Sequence, residues 1–389
     1  MAIPFSYSLR NLWMRRLTTI LTVSGMAMVV FVFAAVLMLV EGFEKTLVST
    51  GSYDNIMVIR KGTGSEVQSY VYKNDANIIE SFPEIATGTD GRKFLAREAV
   101  ILFNLTKRQS GKPANVIFRG ITDESLKIRP QVKITSGRPP RFGTTEIMIG
   151  SNLANGFEGC DVDGELRFSK HRWKIVGIFD AGNTGFGSEI WGDVYQVLPA
   201  FSRTIFSSLT FKLQDGETFA AVRDRIETDP RMTVTAKREV DYYQEQSEST
   251  AKFMRVLGLT ITMIFSLGAI IGAMITMYAA VSTRTSEIGT LRALGFQRRN
   301  ILIAYLMEAL LLGFIGGCVG LFLASFLKDL TVTNMLSMQT FSELAFKFTL
   351  SPAIAFKSML FAITMGFLGG VLPASRAARM KIVDALRTN

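Results

Sequence analysis

Chemistry at a protein site needs nucleophiles, bases or metal ligands at workable spacing. This chain of 389 residues offers few of them. Its one histidine, His171, sits in a polar stretch that reads as a turn. One histidine, with cysteines only at 160 and 318, builds no zinc site. No G-x-S-x-G elbow supplies it with a serine partner. A G-x-x-x-x-G-K-[ST] phosphate loop is also missing, so that route to ATP hydrolysis is closed to these residues. Gly182, Gly185 and Gly187 do not match the dinucleotide fingerprint and read as a flexible loop. The residues therefore predict no catalytic, cofactor or metal constellation.

What the sequence does hold is a short stretch suited to contact. From Thr285 it runs Thr-Ser-Glu-Ile-Gly-Thr-Leu-Arg-Ala-Leu-Gly. Ile288, Leu291 and Leu294 recur at helical spacing, so one face is apolar. Glu287 opens the helix and Arg292 closes it, which suits the helix dipole. Gly295 follows as a natural C-cap. Two readings stand for Ser286, Glu287, Ile288, Gly289, Leu291, Arg292, Ala293, Leu294 and Gly295: a tight connection between helices, or a docking surface for a partner. Glu308 lies inside an apolar run, where a charge is costly and pairs with protein or faces water; a basic partner near the cytosolic side is the favoured reading.

The elements that position these residues are membrane spans. Apolar runs at 17–40, 256–281, 301–327 and 352–373 each reach the length that crosses a bilayer, about 20 residues. The first is too long for a signal-peptide core and is read as retained. Gly268 and Gly272 in the second run, and Gly316 and Gly320 in the third, are spaced for close helix packing. Pro373 predicts a break or kink in the fourth span, with a basic amphipathic tail at 374–389. Residues 1–16 read as an interfacial amphipathic helix.

Orientation follows from the basic residues. Arg10, Arg15 and Arg16 precede the first span; Arg284, Arg292, Arg298 and Arg299 lie in the connection 282–300; Arg376, Arg379, Lys381 and Arg387 lie in the tail. Both termini and that connection are expected in the cytosol, with 41–255 and a short loop at 328–351 outside. The net charge of +10 thus reflects membrane topology and gives no reason to expect nucleic acid.

The outer segment reads as a soluble α+β domain without disulfides, because Cys160 and Cys318 fall in different environments. Strands are expected at 53–60, 94–106, 115–120, 146–149, 166–168, 173–179, 208–213 and 232–236. Helices are expected at 75–82, from 152, at 218–228, and at 239–252 running into the second span. Ser136-Gly-Arg-Pro-Pro reads as a turn. The domain divides into two lobes, with 115–204 as the inserted one.

Three motifs together resemble the MacB/FtsX-type ABC transporter permeases: Ser286-Glu-Ile-Gly-Thr-Leu-Arg-Ala-Leu-Gly, the tail Leu372-Pro-Ala-Ser-Arg-Ala-Ala-Arg with Asp384-Ala-Leu-Arg, and the opening Ser8-Leu-Arg-Asn-Leu. The tail departs from the usual pattern at Lys381-Ile382. The resemblance covers the whole chain. It implies four spans and a MacB-like periplasmic domain of two lobes. It also implies a dimer with a second permease copy or a paralogue, and a separate cytosolic ATPase that binds the ATP and docks on 286–295. The implied function is mechanotransmission that drives export of a periplasmic or outer-leaflet substrate, with a periplasmic adaptor and an outer-membrane channel as further partners and membrane lipid around the spans. Two alternatives within the family are an FtsX-like module regulating a cell-wall hydrolase and a lipoprotein-releasing permease. The chain itself is expected to be non-catalytic.

Overall fold

The computed structural model describes Met14 and residues 16–168, 170–336 and 342–380. The expected interfacial helix at 1–16 and most of the tail beyond Met380 lie outside them. The chain forms two compact units. One holds the chain up to Glu41, Phe253–Leu330 and the chain from Phe348; the other holds Gly42–Lys252 with Thr331–Lys347.

In the first unit, four helices among the described residues are long and apolar enough to cross a membrane. Helix α1 is Arg16–Val48. The helix entering the second span is Glu239–Ser282, and Arg298–Ser325 and Pro352–Arg379 follow. Apolar side chains leave the helix as the arrangement that satisfies each backbone group locally in lipid. The last of the four starts on a capping Ser351, whose hydroxyl accepts from the Ile354 amide, with Pro352 in the first turn. It then runs through Pro373 to Arg379. This corrects the expected break: a proline removes one amide, but Ala374 and Ala377 beyond it are fully buried, and their packing holds the helical path.

The second unit holds a ten-stranded sheet and a separate two-stranded one among the described residues. In chain order its elements are β1 (Asn55–Arg60), α2 (Lys73–Glu80), β2 (Leu95–Thr106), β3 (Pro113–Ile121), α3 (Asp123–Ile128), β4 (Lys133–Gly137), β5 (Glu146–Gly150), α4 (Ser151–Gly156), β6 (Glu165–Phe168) and β7 (His171–Asp180). Then come β8 (Glu189–Asp193), α5 (Val194–Ala200), β9 (Ser208–Lys212), α6 (Phe219–Thr228) and β10 (Val234–Arg238). The helix Glu239–Ser282 is α7, followed by α8 (Thr285–Ala293) and α9 (Arg298–Ser325). Strands β11 (Thr331–Leu336) and β12 (Glu343–Lys347) pair antiparallel, and α10 is Pro352–Arg379. The stretch read as an outer loop at 328–351 therefore carries a strand pair.

Strand order is β10-β1-β9-β2-β3-β8-β5-β7-β4, with β6 also on β7. The two expected lobes share this single ladder. Strand β2 joins the halves, pairing with β9 through Leu95–Glu98 and with β3 from Ala99 to Thr106. Each half keeps its own core. One gathers Ile56, Val58, Ile79, Phe211 and Ile226, and the other gathers Phe118, Ile147, Leu153, Trp173 and Ile190. Three sequence expectations change here. Ser136 and Gly137 close strand β4, and the turn follows later, at 142–145. His171 begins strand β7 instead of forming the turn. Gly185–Ser188 is a 3-10 turn with Phe186, Gly187 and Ser188 buried, not a flexible loop.

Phe118 is the centre of the second core. Its ring meets Phe168 at 5.3 Å and Trp173 at 5.0 Å, both edge to face. Truncation leaves a cavity no neighbour can fill. Phe118→Ala should therefore destabilise the outer domain by about 3–5 kcal/mol, read as a drop in its thermal midpoint by tryptophan fluorescence. An unchanged midpoint would remove Phe118 from the core.

Candidate functional site

Helix α8 is short, and its burial shows what it offers. Ile288 is 1% exposed and packs into a cluster with Met277, Val281, Ile301, Tyr305 and Ala377. Gly289 is buried beside it, and Leu291 and Arg292 are half-buried. Leu294 is 71% exposed, and Ser286, Glu287, Thr290, Ala293 and Gly295 are exposed as well. The apolar stripe read from the sequence is therefore split. Ile288 anchors the helix inward, while Leu294 lies on the open face with Glu287. Gly295 ends the helix at φ 94°, where the Phe296 amide donates to the Leu291 carbonyl and the Leu294 amide to the Thr290 carbonyl. A side chain at 295 would be strained in that conformation.

The anchor is reinforced by charge. Arg284, between α7 and α8, lies 3.8 Å from Glu308 of α9, and both side chains are buried. The sequence placed a basic partner near Glu308; the fold supplies Arg284.

The four glycines read as packing positions divide. A side chain at Gly316 would meet Met26 and one at Gly320 would meet the Ala27 carbonyl, so both sit in close contact with α1. Gly268 and Gly272 touch nothing within reach of a Cβ. Among the described residues no neighbour packs against them. With Gly25, Met28, Val29 and Phe265 they border an apolar groove of about 650 Å³ between α1 and α7.

Sequence reasoning missed a buried charge cluster in the outer domain. Arg119 of β3 donates to Glu189 of β8 through Nε at 2.7 Å and Nη2 at 2.9 Å. It also donates to Glu66 at 2.8 and 3.0 Å and to Glu98 of β2 at 2.9 Å. Arg129, just past α3, donates to both oxygens of Glu98 and, at 3.2 Å, to Glu239 at the start of α7. Glu239 accepts in addition from the Ser52 amide at 3.0 Å and from Asn55 at 2.8 Å. Trp191 Nε1 donates to Glu189, and Arg129 lies over the Phe186 ring at 4.8 Å. All six charged side chains are at most 6% exposed. Charged residues at inward positions of apolar strands were the available signal: Arg119 in Asn-Val-Ile-Phe-Arg, and Glu98 before Ala-Val-Ile-Leu.

Four carboxylates face two guanidiniums, so the cluster carries more negative than positive groups. Burial pushes the Glu98 carboxyl up, but the charges of Arg129 and Arg119 outweigh it and hold it at about 2 against an ordinary 4.5. Burial raises the Glu189 carboxyl in spite of Arg119. The signs oppose. Glu98, depressed on folding, adds stability above pH 4.5, on the order of 3 kcal/mol, that is lost as pH falls toward 2. Glu189, raised on folding, favours the folded state below its ordinary value, and that contribution is lost as pH rises through its raised pKa. Acid unfolding between pH 4.5 and 2 should thus be steeper in the wild-type domain than in Glu98→Gln; equal slopes would remove Glu98 as the titrating group.

Residues 19–229 match the MacB-like periplasmic core domain family, and residues 259–382 match the FtsX-like permease C-terminal family. The chain is similar to the macrolide export ATP-binding/permease protein MacB of Mannheimia succiniciproducens, at 24% identity over 98% of this chain and 60% of that protein. It is similar to the protein of the same name in Neisseria gonorrhoeae, at 24% identity over 87% of this chain and 57% of that protein. The chain spans about 60% or less of the length of these relatives. Among solved structures, the periplasmic region of MacB from Actinobacillus actinomycetemcomitans aligns with a TM-score of 0.38 and 12% identity, covering 50% of this chain and 93% of that one. The extracellular domain of the transporter YknZ aligns with a TM-score of 0.35 and 11% identity, covering 47% and 99%.

Proposed function

The chain belongs to the MacB/FtsX-type ABC transporter permeases, and on that premise we propose that it is the non-catalytic membrane subunit of an exporter driven by a separate cytosolic ATPase. That partner binds the ATP. Its closure moves the spans, and the spans move the outer domain, which drives a periplasmic or outer-leaflet substrate outward. The basic residues before the first span, around α8 and at the end of α10 support a cytosolic location for both termini and for α8. The large domain then lies in the periplasm, with the inner membrane around the four helices. A periplasmic adaptor and an outer-membrane channel complete the proposed assembly.

One observation carries this reading: α8 exposes Glu287 and Leu294 while Ile288 and the Arg284–Glu308 pair tie the same short helix into the packed spans. A push on the open face has no slack to absorb it. Leu294→Asp and Glu287→Lys change only exposed positions, so the fold should survive. Each should lower the ATPase stimulation given by the permease at least tenfold in reconstituted membranes, and the ATPase should co-purify with the wild-type chain. Normal stimulation in both variants would remove α8 as the docking element.

The open groove at Gly25, Gly268 and Gly272 supports a second permease copy or a paralogue as its occupant. Small residues let helix backbones approach closely, and no helix among the described residues fills the space beside them. Gly268→Leu should therefore shift the permease from dimer to monomer in native mass spectrometry from membranes. A dimer of unchanged strength would place the interface elsewhere.

A further inference from the structure

Three segments of the outer unit adjoin the membrane helices in sequence. These are the end of α1 with residues 49–52, the first turns of α7, and strand β12. Each is held by a side chain rather than by sheet pairing, and the three holds are linked.

At the end of α1, Thr50 Oγ1 accepts from the Gly185 amide at 2.7 Å. Thr46 donates to the Asn183 side chain at 3.1 Å, and Ser49 donates to the Asn183 carbonyl. In the same 3-10 turn, Ser188 Oγ accepts from the Ala345 amide of β12 at 3.2 Å. The turn leads directly into Glu189, which Arg119 grips with two bonds. Arg119 reaches Glu98, Glu98 reaches Arg129, and Arg129 reaches Glu239 on α7. Glu239 returns to the Ser52 amide, four residues past the end of α1. The path closes on itself.

We propose that Glu239 closes a buried polar ring that makes the end of α1, the start of α7 and strand β12 one cooperative unit with the sheet. Its charged members, at most 6% exposed, are too buried for water to replace a lost partner, so breaking one link there unloads the next. Beside the ring, a cavity of about 40 Å³ is lined by Glu66, Arg119, Glu189 and Tyr243. The Tyr243 hydroxyl is buried with no hydrogen-bond partner among the described residues. Its neighbour Tyr242 on the same turn of α7 accepts from the Glu66 amide at 2.9 Å. Helix α7 is thus tied to the ring twice, through Glu239 and through Tyr242. Glu239 is a positioning residue. Its use as a force path rests on the permease reading above, whereas its existence as a unit does not.

The test is amide hydrogen exchange on the full chain in lipid nanodiscs, without nucleotide. Three amides donate to ring side chains: Ser52, Gly185 and Ala345. Glu239→Gln keeps the shape and removes the charge. Peptides holding Gly185 and Ala345, which do not touch residue 239, should exchange at least tenfold faster in this variant. Thr50→Val acts from the other end of the path and should speed exchange at Ala345 as well as beside residue 50. Acceleration confined to the immediate neighbours of each substituted residue would overturn the ring, even with ATPase stimulation intact. Conversely, loss of the docking reading would leave the exchange pattern standing. If Glu239→Gln fails to fold, the Thr50→Val pattern alone decides between a spread and a local response.

Discussion

A charge taken out of water must find its partners inside the protein, and this constraint organises the outer domain. Arg119 and Arg129 lie in the middle of the sheet region with almost no exposure. Each is stable there only because carboxylates from separate segments converge on it. Glu66 follows β1, Glu98 is on β2, Glu189 opens β8 and Glu239 opens α7. The need to pair these groups fixes where four distant parts of the chain meet. Removing one partner from such a set costs on the order of 3–5 kcal/mol, a large share of what holds a domain together. The apolar cores on either side supply stability, and the charged centre supplies register.

The membrane unit follows a different constraint. Lipid offers no hydrogen bonds, so helices form first and packing selects among them. Close approach of α9 to α10 depends on Gly313 and Gly366, whose backbones nearly touch, and approach to α1 depends on Gly316 and Gly320. A buried ion pair, Arg284 with Glu308, then links the connection before α8 to α9. The same principle thus acts at both ends of the protein: a paired charge in a dry place sets geometry that apolar contacts alone would leave free.

Much of this was legible in the sequence because the signals were local. The spans are uniformly apolar, α8 has its cap at Gly295, and β1, β2, β3 and β7 are rich in β-branched and aromatic residues. What was not legible depends on contacts far apart in the chain. Strand β8 reads Glu-Ile-Trp-Gly-Asp, and its charged ends hide a fully buried strand because Arg119 and the Gly143 amide lie elsewhere. Helix α5 contains Pro199, which argues against a helix until Val197 and Leu198 are seen inside the two cores. Gly185–Ser188 reads as a loop because glycines favour loops, yet the Gly185 amide is held by Thr50 and Phe186, Gly187 and Ser188 are buried. The burial of Ile288 against the exposure of Leu294 likewise depends on α9 and α10 rather than on the period of α8.

The strand order has a consequence for how the protein is made. Strand β1 emerges first, but its partners β9 and β10 are the last strands of the domain to be synthesised before α7. Until then its edges have no pairing, and Ile56 and Val58 have no core to enter. Non-local pairing of this kind is slow and leaves apolar strands open to wrong partners. The carboxylate that joins Arg129 lies one residue beyond β10. Sheet closure and the start of the second membrane helix therefore arrive together on the ribosome, so a nascent chain stalled before Arg238 would expose an unfinished sheet to the proteases outside the membrane.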